Sequence, residues 1–142
     1  MTLSVCLIVK DEQAVLKRCL SCVSKFADEI VVVDTGSSDE TVEIAEKFTD
    51  KVYFFKWCDD FSAARNFAFD KAVCDLVMWL DADDVVTDEN CAKINELKNS
   101  FEGYDMAVLP YAASFDGGQP NFVYNRERIF RRDGGYRFSG EV

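Results

Sequence analysis

The chain has 142 residues, enough for one domain with a proper core, and its 49% apolar content excludes a disordered segment. Its 26 acids against 16 bases give a net charge of -10, which excludes a general nucleic-acid binder, a role that needs a basic face for phosphates. No apolar run approaches the ~20 residues of a membrane span, and the N-terminal residues carry no signal-peptide pattern.

In chain order, Leu3 to Val9 is strand-like and Lys10-Asp11-Glu12 closes it. Val15, Leu16, Cys19, Leu20 and Val23 then repeat at helical spacing. A second strand, Ile30 to Val33, runs into Asp34-Thr35-Gly36. Ser37 and Glu40 have the spacing of a capping box, and the helix they would open carries Val42, Ala45 and Phe48 on one face. Val52 to Phe55 is a third strand. Asp60 is placed to cap an alanine-rich helix from Phe61 to Ala68. A fourth strand, Leu76 to Leu80, ends in Asp81-Ala82-Asp83-Asp84. Thr87-Asp88-Glu89 opens a helix with Cys91, Ile94, Leu97 and Phe101 on one face, and Met106 to Leu109 is a fifth strand. Gly117 to Pro120 reads as a turn, and Arg126 to Arg132 as a basic strand with no assigned role. This alternation predicts an α/β fold with a mostly parallel sheet flanked by helices.

Two strands therefore end in acids. In open α/β sheets, ligands bind outside the carboxyl ends of the strands, so Asp34 and Asp81 are expected at one edge, facing one crevice. Carboxylates gathered where a strand leaves the sheet suit a hard divalent cation that shares its shell with phosphates. The same triplet also fits a polar turn, because Asp is common there. The net acidity makes a bare diphosphate a poor partner unless a cation offsets the repulsion.

The six cysteines include one C-x-x-C pair, Cys19 and Cys22, with no second pair and no histidine in the chain, so a zinc site is not expected. They read as small core residues of a reducing compartment, which points to the cytoplasm.

Four segments together resemble glycosyltransferase family 2: Ser4 to Glu12, Val33 to Thr41, Ala63-Ala64-Arg65-Asn66 and Trp79 to Asp83. The resemblance covers nearly the whole chain. It implies the A-type glycosyltransferase fold, a Rossmann-like sheet that takes nucleotide-diphosphate sugars, usually with Mn2+ or Mg2+. It further implies that Val9, Asp11 and Glu12 flank the base and ribose. Asp34 would accept from the imide N–H of uracil, Arg65 would face the phosphates, and Asp81 and Asp83 would meet the ribose or the metal, Asp83 more directly. Asn66 is expected to hold its helix start, Asp84 to be structural or exposed, and Trp57 and Phe61 to be wall packing. The implied reaction is transfer of a sugar from a UDP-sugar to an acceptor hydroxyl, with inversion. Phe138 to Val142 resembles a segment that in related proteins continues into His-Glu. Residues 1–142 are thus expected to be a single nucleotide-sugar-binding domain, the N-terminal part of a longer glycosyltransferase. The catalytic base is left unassigned, with Glu141 as the candidate.

Three other readings compete at this level. A nucleotide- or sugar-binding module without turnover needs the same residues. A haloacid-dehalogenase-type phosphatase also uses an Asp-x-Asp strand end, but on its first core strand. A receiver domain would need a Lys where Pro110-Tyr111 stands.

Overall fold

The computed structural model describes residues 1–140, the side chains of 114–116 and 121 excepted; Glu141 lies outside the described residues. Its elements run β1 (Leu3–Val9), α1 (Leu16–Val23), β2 (Glu29–Asp34), α2 (Thr41–Glu46), β3 (Val52–Phe54), α3 (Phe61–Lys71), β4 (Leu76–Asp81), α4 (Asp88–Asn99), β5 (Met106–Asp116) and β6 (Gln119–Arg131). They build one six-stranded sheet in the order β3-β2-β1-β4-β6-β5. The first four strands in that order are parallel, and β6 pairs antiparallel with both β4 and β5. This is the mostly parallel α/β sheet expected from the alternation.

The central strands are apolar on both faces because both faces are covered. Leu3, Val5, Leu7 and Val9 of β1 pack with Leu16, Leu20 and Val23 of α1 and Ile94 of α4. The opposite parity, Cys6 with Val31, Val33, Val77 and Trp79, packs against Ala68 and Phe69 of α3. A one-residue slip would exchange the two cores, so the register is fixed. In that register Val9 lies beside Asp34 and Ile8 beside Asp81.

Two local expectations are corrected. The Ser37–Glu40 capping box does not form: α2 starts at Thr41, and its first amide is taken by Asp39 Oδ1 at 2.9 Å. Ser37 is unavailable because its oxygen accepts from Asp11 N at 2.8 Å while its hydroxyl donates to Asp34 Oδ1 at 2.5 Å. The short strand Met106 to Leu109 and the basic strand Arg126 to Arg132 are the two ends of one long hairpin. Its tip is a Gly117-Gly118 turn with φ of 58° and 82°, both in the left-handed region that a tight hairpin demands. Pro110 is tolerated because β5 is the edge strand.

Helix starts elsewhere follow the sequence. Asp60 Oδ1 caps α3 through Ala63 N at 3.1 Å, and Thr87 Oγ1 caps α4 through Asn90 N at 3.3 Å. Among the described residues no helix is long and apolar enough to cross a membrane.

Candidate functional site

Beyond β1, the chain turns at Asp11, a non-glycine residue with φ of 51°. Asp tolerates that region better than most side chains, and here both its backbone and its carboxylate are anchored. Asp11 N donates to Ser37 Oγ at 2.8 Å, and Ser38 N donates to Asp11 Oδ1 at 2.8 Å. Glu12 N donates to Thr41 Oγ1 at 2.8 Å, and Glu40 N to Gln13 Oε1 at 3.2 Å. The loops after β1 and β2 are thereby tied into one unit. Asp34 closes the second loop, accepting from Gly36 N at 3.0 Å and Ser37 N at 3.1 Å as well as from the Ser37 hydroxyl. The Val9 side chain is core, and its carbonyl accepts from Thr35 N at 3.1 Å.

On the other side of β1, Asp81 to Asp84 form a turn, with Asp84 N donating to Asp81 O at 3.0 Å. Ala82 is buried and anchors the turn in the core. Asp81 is half-buried, Asp83 exposed and Asp84 buried. One carboxylate oxygen from each lies within 4.8 Å of the others. Their partners differ. Arg65 Nη2 donates to Asp81 Oδ1 at 2.9 Å, across from α3. Arg128 Nη1 donates to Asp84 Oδ2 at 3.1 Å, from β6. Among the described residues no cation pairs with the Asp83 carboxylate, although Arg18 Nη2 donates to the Asp83 backbone carbonyl at 3.4 Å.

Trp79 is the floor beneath this arrangement. Its Nε1 donates to Glu127 O at 2.7 Å. The guanidiniums of Arg65, Arg126 and Arg128 lie 4.4, 4.6 and 4.1 Å from its ring centroid. Stacking on an indole suits a planar, weakly hydrated cation. Arg65 Nε is buried without a hydrogen-bond partner.

The electrostatics favour a cation. Burial pushes the Glu12 carboxyl above its ordinary value, and the fields of Asp83, Asp81, Asp39 and Asp11 push it further the same way. Negative charge thus accumulates here beyond what the arginines neutralise. An oxygen-only donor set with surplus negative charge is the chemistry a hard divalent ion takes. Asp84 is different: burial raises its carboxyl, against the Asp81 amide and Arg128, which lower it. Burial likewise lowers Arg128, against the pull of Asp84.

The structure brings Asp11, Glu12, Asp34, Asp81 and Asp83 to one edge. It pairs Arg65 with Asp81, and not with Asp59, Asp60 or Asp70. Asn66 does not hold its helix start. Its Nδ2 donates to Phe138 O at 2.9 Å and its Oδ1 accepts from Phe138 N at 2.8 Å, pinning the C-terminal segment, while Asp60 caps the helix. Trp57 packs on Phe61 with ring centroids 4.8 Å apart, although Phe61 is half exposed. Arg128 is the residue that sequence reasoning missed. The available signal was parity: Arg126 and Arg128 alternate in step with the apolar Phe130.

Comparison with known proteins follows the same outline. The chain is 38% identical over 136 residues to a TPR repeat-containing protein of Synechococcus elongatus, covering 95% of this chain and 33% of that protein. It is 33% identical over 145 residues to the SPbeta prophage-derived glycosyltransferase SunS of Bacillus subtilis, covering 99% of this chain and 34% of that protein. It therefore spans about a third of these relatives' length. The S. aureus TarS structure superposes with a TM-score of 0.71 at 20% identity, over 98% of this chain and 50% of that one. TarS structures have also been solved in complex with UDP and with UDP-GlcNAc. Glucosyl-3-phosphoglycerate synthase from Mycobacterium tuberculosis, solved with Mg2+ and UDP, matches with a TM-score of 0.51 at 23% identity, over 57% of this chain and 33% of that one. These neighbours share the A-type glycosyltransferase fold. The model of the glycosyl transferase family 2 matches residues 4–140. That span holds both acid-ended strands, the Arg65 helix and the hairpin that carries Arg128, and the chain belongs to glycosyl transferase family 2.

Proposed function

We propose that this chain is the nucleotide-sugar-binding domain of a glycosyltransferase that moves a sugar from a UDP-sugar to an acceptor hydroxyl, with inversion. The observation that carries this reading is the placement of Asp34 and the Asp81–Asp83 acids on either side of the β1 end, at one edge of the sheet. A carboxylate has about four lone-pair sites, and three on Asp34 are filled from its own loop. The remaining site is assigned to the uracil imide N–H. Asp11 and Glu12 form the wall beside the base and ribose, and Val9, whose side chain is core, supports that wall from beneath. UDP and UDP-GlcNAc complexes of TarS support the choice of nucleotide.

Asp83 and Asp81 are the residues that would hold Mn2+ or Mg2+. Such an ion, when bound, supplies Lewis-acid stabilisation of the charge on the departing diphosphate. Arg65 orients Asp81 through its ion pair and brings positive charge toward the phosphates. The six free thiols fit a cytoplasmic setting.

Calorimetric titration tests this reading. UDP is expected to bind more tightly with Mn2+ than without it, and more tightly than ADP in both cases. Equal affinity for the two nucleotides would remove the role of Asp34, and UDP binding that ignores Mn2+ would remove that of Asp81 and Asp83.

A further inference from the structure

The turn that presents Asp81 and Asp83 is locked from beneath by a buried ion pair. Asp81 N donates to Asp84 Oδ2 at 2.9 Å, so the Asp84 carboxylate reaches back to the residue that opens the turn. Arg128 Nη1 donates to that same oxygen and to Trp79 O at 3.2 Å. Its guanidinium is held 4.1 Å from the Trp79 ring and 5.3 Å from the Tyr111 ring. The Arg128 and Asp84 side chains are only 4% and 7% exposed. An arginine that served only to fill the core could be replaced by apolar atoms. This one instead directs its bonds to a strand carbonyl just before the acids and to the side chain that closes their turn.

We infer that Arg128 and Asp84 are a positioning pair for the cation site: they hold the Asp81–Asp84 turn ready before any cation arrives, and Asp84 is the counter-ion of Arg128, not a ligand. The inference rests on the proposed roles of Asp81 and Asp83. Adjacent carboxylates repel and would otherwise spread the turn. Ligands held by outer hydrogen bonds bind metal without having to be ordered first. The pair also explains why an acid triplet offers two carboxylates and not three to solvent.

Two double variants test it. Asp84→Leu with Arg128→Met removes the hydrogen bonds, and Asp84→Asn with Arg128→Gln retains an amide version of them. Both keep the summed charge of the pair at zero, so a change in cation affinity reports geometry and not field. Mn2+ binding in the presence of UDP is read from the electron paramagnetic resonance of the free ion. The apolar pair is expected to weaken Mn2+ binding at least tenfold while metal-free UDP affinity stays within twofold. The amide pair is expected to stay within threefold of the parent for both. An apolar pair that binds Mn2+ like the parent overturns the inference. So does one that loses metal-free UDP binding in the same proportion, or an amide pair as weak as the apolar pair. Amide hydrogen exchange on the unaltered chain, with Mn2+ alone, needs no variant to fold. Protection of the Asp81 and Asp84 amides before Mn2+ is added supports the lock, and protection only afterwards overturns it. A parent whose UDP binding ignores Mn2+ overturns the cation-site reading, and the pair's role falls with it. A responsive parent matched by the apolar pair overturns the pair alone.

Discussion

Asp83 is the acid of the turn whose charge is left over, since Arg65 holds Asp81 and Arg128 holds Asp84. It is exposed, at the solvent end of the turn, and no protein group depends on its carboxylate for hydrogen bonding among the described residues. Asp83→Asn keeps the size and one acceptor oxygen but loses the charge that attracts a hard cation. UDP binding in this variant is expected to lose its Mn2+ dependence while metal-free binding persists or tightens slightly as repulsion falls. The melting temperature should move by less than about 2 °C, as an exposed substitution away from caps and core changes stability by roughly 0.5 kcal/mol or less. Parent-like Mn2+ dependence in calorimetry would exclude Asp83 as a ligand, and an unfolded variant would make the residue structural. Asp34 does not offer so clean a test. Its carboxylate also builds its own loop through three bonds, so removing it disturbs the scaffold and the base site together.

Elements whose signals are local could be read before the structure. The parallel core, the caps at Asp60 and Thr87 and the shared edge of Asp34 and Asp81 all follow from apolar runs, capping chemistry and alternation. What escaped reading depends on contacts distant in sequence. Ser37 carries a capping signature, but its hydroxyl is engaged by Asp34 and its oxygen by the amide of Asp11, 26 positions away. Arg128 meets Asp84 across 44 positions, through an antiparallel pairing that Pro110 and Pro120 hide in the pattern. Glu29 is a further case. An acid at the start of β2 looks like a solvent-facing strand end, yet its side chain is only 5% exposed. It accepts from Ser4 Oγ at 2.5 Å and Val73 N at 3.0 Å, and pairs with Lys51, tying β1, β2 and the α3–β4 connection at the sheet's other edge. Burial pushes this carboxyl up, but the bonds from Lys51, Ser4 and Val73 outweigh it and hold it below the ordinary 4.5. A lowered folded-state value means the native protein binds fewer protons, so this stabilisation is present above pH 4.5 and is lost as pH falls through the folded-state value. Glu29→Gln is therefore expected to cost about 1.5–3 kcal/mol at pH 7, the range for a hydrogen bond to a charged group. The gap between variant and parent should narrow below pH 4.5 in urea melts. A gap that stays constant across that range would show that the charge of Glu29 contributes nothing.

At the scale of the whole molecule, the net charge of -10 is unevenly spread. Five of the seven arginines, Arg126, Arg128, Arg131, Arg132 and Arg137, sit on β6 and the segment after it. The ends of β1, β2 and β4 are left acidic, with Asp11, Glu12, Asp34, Asp39, Asp81 and Asp83 in their loops. Two opposing effects of salt follow. Screening weakens the exposed pairs Lys93–Glu89, Lys25–Asp88, Arg131–Asp133 and Arg137–Asp70, which contribute little in water to begin with. Screening also relieves the repulsion of a chain with this surplus of acids, which acts on the folded state as a whole. The Debye length falls from about 10 Å at 0.1 M salt to about 3 Å at 1 M, so repulsion across the acidic edge is removed while the buried Arg128–Asp84 pair is little affected. Relief of repulsion outweighs the weakened pairs here, because among the described residues most of the acids have no pairing partner to lose. The melting temperature is expected to rise by a few degrees between about 0.05 and 0.5 M NaCl. A fall instead would mean that the surface pairs outweigh the repulsion. Mn2+ at matched ionic strength should raise it further, because an ion bound only by the folded state adds stability by mass action beyond screening. That excess is expected to vanish in Asp83→Asn, while the NaCl response is retained. An excess that survives the substitution would place the Mn2+ effect on the acidic surface at large, outside the Asp81–Asp84 turn.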